Sequence, residues 1–211
     1  AGIDSLSAKL VNVGNSGVFA SFETLSLDAA TIDLDLALVN KSTFTTIAID
    51  AGATSSGLSN VKKSQSLTVN AAATATTLTF KASEIAGTAD AYTINFNADN
   101  AAGDINAGTV TINGIETVTV NSLGKTSAAT DTNKITLKDA DAKSLVITGD
   151  KNIELVLGTA TTAGNTFGTN SAAAGDGKGV ATIDASASTA GIEITDFANV
   201  GVAENGLTIK G

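Results

Sequence analysis

The chain has 211 residues, a formal net charge of −9 and no Cys, His, Met, Trp, Pro or Arg. These absences remove the usual thiol nucleophile, proton shuttle and phosphate-binding guanidinium, and they disfavour most enzyme classes. The acidic balance disfavours nucleic acid and anionic membranes as partners and favours cations. No apolar run approaches the roughly 18 residues of a membrane span, so we expect no membrane insertion.

Short runs that alternate apolar and polar residues recur along the chain. Alternation of this kind predicts strands with one dry face and one wet face. Thirteen such runs are predicted, at residues 23–28, 46–50, 66–70, 76–80, 92–97, 109–112, 116–120, 134–138, 144–148, 152–157, 181–184, 191–195 and 206–210. The sequence therefore predicts an all-β fold.

The spacing of the strands bears on their architecture. Between residues 134 and 157, three predicted strands are joined by 139–143 and 149–151, which are too short for helices and carry turn residues. Such a run fits three sides of one coil in a stacked β-helix, and it fits an antiparallel meander equally well. We expect a right-handed parallel β-helix (β-solenoid), with two Ig-like β-sandwich domains as the alternative.

One segment differs in composition. Residues 158–179 are mostly Gly, Ala, Thr, Asn and Ser, with Phe167 as the one large apolar residue. This composition predicts a long loop. The loop would divide the chain into a β-helical segment at 1–157 and a continuing β-helical segment at 180–211, or would lie within a single elongated domain.

A short phrase occurs twice. Phe22-Glu23-Thr24-Leu25 and Ile115-Glu116-Thr117-Val118 each place a Glu-Thr pair directly before an alternating strand. Two interpretations remain open: a weak internal repeat of the kind that stacked coils produce, or chance similarity in a chain of biased composition.

Acidic residues in or near turns are candidate Ca²⁺ ligands, because Ca²⁺ takes about six to eight oxygen ligands from carboxylates, amides and carbonyls. Two flank the same turn and a third lies at the next turn, where stacked coils could bring carboxylates together. The candidates are Asp139, Asp141, Asp150, Asp176, Asp33 and Asp35. For each one, capping of a turn's backbone is the alternative interpretation.

Carboxylate pairs can also indicate glycoside hydrolysis. Those sites combine two acids with stacking aromatics, and this chain has one Tyr, no Trp and no His. A Gly-x-Ser-x-Gly elbow is also absent from the sequence. We therefore assign no catalytic residue and expect that the protein is not an enzyme.

Three stretches resemble a known family. Gly114-Ile115-Glu116-Thr117-Val118-Thr119-Val120, the residues 133–150, and Ala181-Thr182-Ile183-Asp184-Ala185-Ser186-Ala187-Ser188 are similar to RTX-associated bacterial surface-layer proteins that leave the cell by type I secretion. The defining Gly-Gly-x-Gly-x-Asp nonapeptide of RTX repeats is missing, since the chain has no Gly-Gly pair.

The resemblance implies a structural, extracellular role on the surface of a Gram-negative cell. It implies self-association in a two-dimensional lattice, stabilisation by Ca²⁺ and derivation from a longer polypeptide. Contact with lipopolysaccharide or cell-surface polysaccharide would involve another region. The alternative is an RTX-type adhesin or passenger module that contacts a glycan or a host surface.

Overall fold

A computed structural model of the chain describes residues 2–97, 103–124, 130–157, 167–168, 179–195 and 206–211. Within these residues the secondary structure is sixteen strands and two short 3₁₀ turns, at Ala8–Leu10 and Leu36–Val39. In chain order the strands are β1 Ser5–Ser7, β2 Thr24–Leu27, β3 Thr31–Asp35, β4 Thr46–Ile49, β5 Ser55–Val61, β6 Ser66–Val69, β7 Ala75–Phe80, β8 Ala91–Phe96, β9 Ile105–Thr111, β10 Thr117–Ser122, β11 Thr132–Lys138, β12 Ser144–Gly149, β13 Asn152–Leu157, β14 Thr182–Ser188, β15 Ile192–Thr195 and β16 Thr208–Lys210.

The strands form two parallel sheets. One sheet has nine strands in the order β1-β2-β4-β6-β8-β10-β12-β14-β16, and the other has seven in the order β15-β13-β11-β9-β7-β5-β3. From β2 to β16 the strands alternate between the two sheets, so each of these coils gives one strand to each sheet, which confirms the parallel β-helix. β1 adds to the nine-stranded sheet alone. Ig-like sandwiches are excluded, because their sheets are antiparallel. Right-handedness stays a prediction, based on the strong preference of parallel crossovers for that hand.

The coil has two sides, not three. The strands predicted between residues 134 and 157 are β11, β12 and β13, and β11 pairs directly with β13 in the seven-stranded sheet. β12 belongs to the other sheet. The three-sided coil is therefore wrong, and so is the meander, because the two turns carry the chain to the opposite sheet and back again.

A row of aliphatic side chains runs through the core. Six residues occupy equivalent positions in successive strands of the nine-stranded sheet and are fully buried: Leu25, Ile47, Leu67, Ile94, Val120 and Ile147. One coil between these positions takes from 20 to 27 residues. Because the coil length varies, the sequence has no constant period and its repetition is hard to see.

The recurring Glu-Thr phrase marks one structural position. Glu23 Oε2 accepts a hydrogen bond from the Asp4 backbone N–H at 2.9 Å, and Glu116 Oε2 accepts one from the Asp90 N–H at 2.8 Å. Each glutamate precedes a strand of the nine-stranded sheet, and each aspartate precedes the neighbouring strand. The similarity of the two phrases therefore reflects the same contact between adjacent coils.

Three strands have no counterpart in the sequence prediction: β1, β3 and β5. β5 is mostly polar, with Leu58 and Val61 as its large apolar residues. It is extended because β3 and β7 pair with its two sides. Tertiary hydrogen bonding overrides a weak local preference here.

Most of the predicted loop at 158–179 lies outside the described residues. Phe167 is described and is fully buried, and it forms an isolated parallel bridge with Asp139. Further along the chain, β14 pairs with β12 and β15 pairs with β13. The strands after residue 179 thus add to the same two sheets. The division into segments stays a prediction.

Gly149 is required where β12 passes close to the preceding coil. Its φ is +111°, and a Cβ there would lie 2.1 Å from the Ser122 carbonyl oxygen. We expect Gly149→Ala to lower the free energy of unfolding by about 2–4 kcal/mol, because strain and a backbone clash add. Denaturant titration measures this loss.

Gly57→Ala is the matched control. Gly57 lies in β5, and its nearest atom to an added Cβ is Asp33 Oδ1 at 3.8 Å. We expect a change within about 0.5 kcal/mol. Equal losses in the two variants would contradict the close approach of the coils at Gly149.

Candidate functional site: the acidic turns

The turns of the solenoid lie along two edges. The first edge consists of turns that follow strands of the nine-stranded sheet, such as 50–54 and 150–151. The second edge consists of turns that follow strands of the seven-stranded sheet, such as 62–65 and 139–143. The five candidate Ca²⁺ ligands that the structure describes are distributed between these edges and β3.

Asp139 and Asp141 lie together on the second edge. Asp139 has no exposed surface, and its Oδ1 accepts a hydrogen bond from the Asp141 N–H at 3.1 Å. Its Oδ2 is buried and has no hydrogen-bond partner among the described residues. Burial raises the pKa of Asp139 to about 8, although backbone hydrogen bonds oppose the shift. Burial therefore favours the neutral form of this carboxyl, and cation binding would have to release its proton.

Asp150 lies apart from that pair. It is exposed and stands on the first edge, directly after β12. β12 separates it from the turn that holds Asp139 and Asp141 by about 20 Å of extended chain. The structure therefore does not bring these three aspartates together, because consecutive turns of a two-sided coil lie on opposite edges.

Asp33 and Asp35 belong to β3. Asp33 is exposed. Asp35 Oδ1 accepts hydrogen bonds from the Ala37 N–H at 2.8 Å and from Asn60 Nδ2 at 2.7 Å, so Asp35 caps the 3₁₀ turn that follows β3. The remaining candidate, Asp176, lies outside the described residues.

Two further acids, Asp104 and Asp131, lie in adjacent turns of the first edge. Asp104 Oδ1 accepts from the Thr132 N–H at 2.8 Å, and the Asp131 carboxylate lies beside Gly103. The fully buried Lys151 donates from Nζ to the Gly103 carbonyl at 2.6 Å. A lysine therefore supplies positive charge beside these acids.

Within the part of the chain that the structure describes, no three carboxylates form a group able to hold a metal ion. Asp139 and Asp141 are the candidates that it brings together. Any Ca²⁺ on them would need further oxygens from backbone carbonyls or water to complete its roughly six to eight ligands. The Ca²⁺ site stays a prediction.

Lysines pair with acids along the second edge. Lys63 Nζ lies 2.5 Å from Asp90 Oδ1, and Asp90 is only 4% exposed. This hydrogen bond raises the pKa of Lys63. Lys143 Nζ lies 3.9 Å from Glu116 Oε1, in the next turns of the same edge. Sequence reasoning missed these pairs because each one joins residues of different coils.

An amide ladder crosses three coils on the first edge. Asn70 Nδ2 donates to Asp50 Oδ1, and Asn97 Nδ2 donates to Asn70 Oδ1, each at 2.7 Å. Ser26 donates from Oγ to the other Asp50 oxygen. Sequence reasoning had a signal for this ladder: each of its Asp or Asn residues directly follows the last apolar residue of a predicted strand.

Comparison of the chain with protein-family models, curated proteins and solved structures found no match. Among the described residues, no helix has the length and apolar character that crossing a bilayer requires.

The buried Asp139 predicts a pH dependence of stability. Its pKa is higher in the folded chain than its ordinary 3.8, so folding favours the protonated form. The contribution of the protonated Asp139 carboxyl to the free energy of unfolding is fully present below about pH 4. It is lost as the pH rises towards 8, by at most ~1.4 kcal/mol per pH unit. Asp139→Asn removes this titration. We therefore expect the variant to gain stability over the wild type as the pH rises across that window, which denaturant titrations at several pH values measure.

Asp150→Asn is the control for Asp139→Asn, since it removes an exposed carboxylate from the neighbouring turn. We expect its stability to follow the wild-type pH profile. A difference between Asp139→Asn and the wild type that stays constant from pH 4 to pH 8 would contradict the burial of a neutral carboxyl.

The amide ladder predicts a local stability effect. Asn70→Ala removes a donor to Asp50 and an acceptor for Asn97. We expect a loss of about 1–3 kcal/mol in the free energy of unfolding. Asn40→Ala, at an exposed asparagine, should change it by less than about 0.5 kcal/mol. Similar values for the two variants would show that the ladder contributes nothing of its own.

Proposed function

We propose that this chain is a structural module of a secreted bacterial surface layer, which self-associates in a two-dimensional array stabilised by Ca²⁺. The observation that carries the proposal is a parallel β-helix whose sheets end in open strands. Resemblance to RTX-associated surface-layer proteins supplies the cellular setting. Neither a catalytic centre nor a nucleic-acid partner is part of the proposal.

The ends of the coil stack are suited to association. The nine-stranded sheet ends in β1 and β16, and the seven-stranded sheet ends in β3 and β15, so these strands have a free hydrogen-bonding side within the described chain. Exposed strand edges pair readily with further strands. Large apolar residues that are exposed occur only near these ends in the described chain: Ile3, Leu10, Val13, Val18 and Ile209.

The charge of the chain supports a role for a cation. A net charge of −9 makes copies repel one another, and a bound divalent cation would reduce that repulsion. Asp141 is the ligand position that we propose, because its backbone N–H donates to Asp139 Oδ1 and the two aspartates therefore lie together in one turn. Ca²⁺ that binds only the folded form would also raise its stability by mass action.

Chelation of the full chain tests the Ca²⁺ proposal. Saturating Ca²⁺, about 100-fold above its Kd, should raise the free energy of unfolding by roughly 2.7 kcal/mol. For a chain of this size, that gain corresponds to a melting temperature about 5–10 °C higher. We expect EDTA to abolish the increase and Mg²⁺ at equal ionic strength to give less.

Two variants locate the effect. Asp141→Asn should reduce the Ca²⁺-dependent increase in melting temperature, whereas Asp184→Asn, which removes an acid already paired with Lys210, should keep it. A melting temperature that is the same in EDTA and in Ca²⁺ would exclude stabilisation by Ca²⁺.

Electron microscopy tests the array separately. An ordered lattice supports the structural role, and dispersed particles that bind a glycan would favour an adhesin.

A further inference from the structure

A cavity of about 260 Å³ opens on the second edge, in the N-terminal half of the solenoid. Residues of three successive coils line it. Its polar lining consists of Asn40, Ser42, Asn60, Lys62, Gln65 and Lys81. The buried Phe44 contributes to its apolar part.

The cavity results from unequal turns. The turn at 62–65 is short, whereas its neighbours on the second edge, 36–45 and 81–90, are long. A short turn between two long ones leaves a recess. Beside it, the pairing of β5 with β7 shifts register between Leu58 and Val61, and Asn60 has a φ of +57°. Bulges and residues with positive φ are frequent beside binding sites.

Gln65 brings a buried amide to the lining of the cavity. The residue is only 5% exposed, and its Oε1 accepts from the Lys62 N–H at 2.8 Å. No described residue accepts from Gln65 Nε2, and this nitrogen is not among the side-chain atoms sealed from solvent without a partner. Gln65 lines the cavity, so this amide nitrogen is a candidate hydrogen-bond donor to a ligand there.

Lys62 and Lys81 supply the charge. Neither forms an ion pair within the described chain, whereas Lys63, next to Lys62, is paired with Asp90. The Asp35 carboxylate accepts hydrogen bonds from Ala37 and Asn60, which are two residues of the cavity lining. Two lysines that form no ion pair within the described chain thus line one cavity, in a chain whose net charge is −9.

We propose that this cavity binds an acidic sugar. Lys62 and Lys81 hold its carboxylate, and Gln65 together with Asn40, Asn60 and Ser42 hydrogen-bond to its hydroxyl groups. The volume is below the roughly 300–1,000 Å³ of sites for drug-sized ligands, so one monosaccharide unit is the expected occupant. The inference does not depend on lattice formation or on Ca²⁺, and it extends beyond the structural role.

Titration of the full chain with sodium glucuronate tests this site, with glucose and acetate as neutral and charge-only probes. Isothermal calorimetry, or NMR of the lysine and glutamine side chains, measures the affinity. We expect glucuronate to bind at least about tenfold more tightly than either probe, and to weaken as NaCl is added, because exposed charges are screened. The methyl glycoside of glucuronate distinguishes two sources of the ligand. Tighter binding than that of free glucuronate indicates a sugar residue within a polysaccharide, and weaker binding indicates a free monosaccharide.

Variants test the residues. Lys62→Ala combined with Lys81→Ala should reduce glucuronate affinity at least about tenfold, since hydrogen bonds to charged groups are among the strongest. Both lysines are exposed, so the double variant should fold. Lys138→Ala removes a lysine from the end of β11, away from the cavity, and should leave the affinity unchanged.

Several results would overturn the proposal. Glucuronate that binds no better than glucose, or equally well to the double variant, removes the role of the lysines. Inorganic phosphate that competes as strongly as glucuronate reduces the site to a general anion site. Absence of glucuronate binding at millimolar concentration excludes the site altogether.

Discussion

Parallel stacking in register is the constraint on which the whole structure depends. A single coil has one strand per sheet and cannot enclose its apolar side chains. Stacked coils align those side chains in rows, such as the fully buried row from Leu25 to Ile147. Each buried aliphatic side chain contributes about 1.5–3 kcal/mol relative to exposure, as an upper bound. The coil length varies at the edges, where no row has to be kept.

The same register orders the polar residues. Backbone pairing places residues that are 20 or more positions apart next to each other, which is how Asn70 meets Asp50 and Lys63 meets Asp90. It also explains the burial of Asp139. Ile135, Leu137 and Asp139 alternate along β11 and its end, so the inward row places a carboxyl where an aliphatic residue would be expected. Such a group is costly to ionise, and its pKa rises for that reason.

The two proposed functions use different parts of this architecture. Association would use the strand edges at the ends of the stack, where backbone groups are free to pair. The cavity lies on the second edge, where Lys62, Gln65 and Lys81 come from turns of different length. Neither proposal requires a reactive side chain, and the chain has no thiol, imidazole or guanidinium group. A rigid scaffold that carries turns along its edges suits surface recognition as well as assembly.

The sequence by itself determined the all-β fold, and each of the thirteen predicted strands overlaps an observed one. Alternation is a local property, so it can be read without a structure. The tertiary structure decided the number of sides of the coil, the extended form of the polar strand β5, and which acids and lysines are neighbours. Those features depend on coil length and register, which bring together residues from separate coils. For that reason the sequence could name Asp139 and Asp150 as candidates, but only the stacked coils could place them on opposite edges.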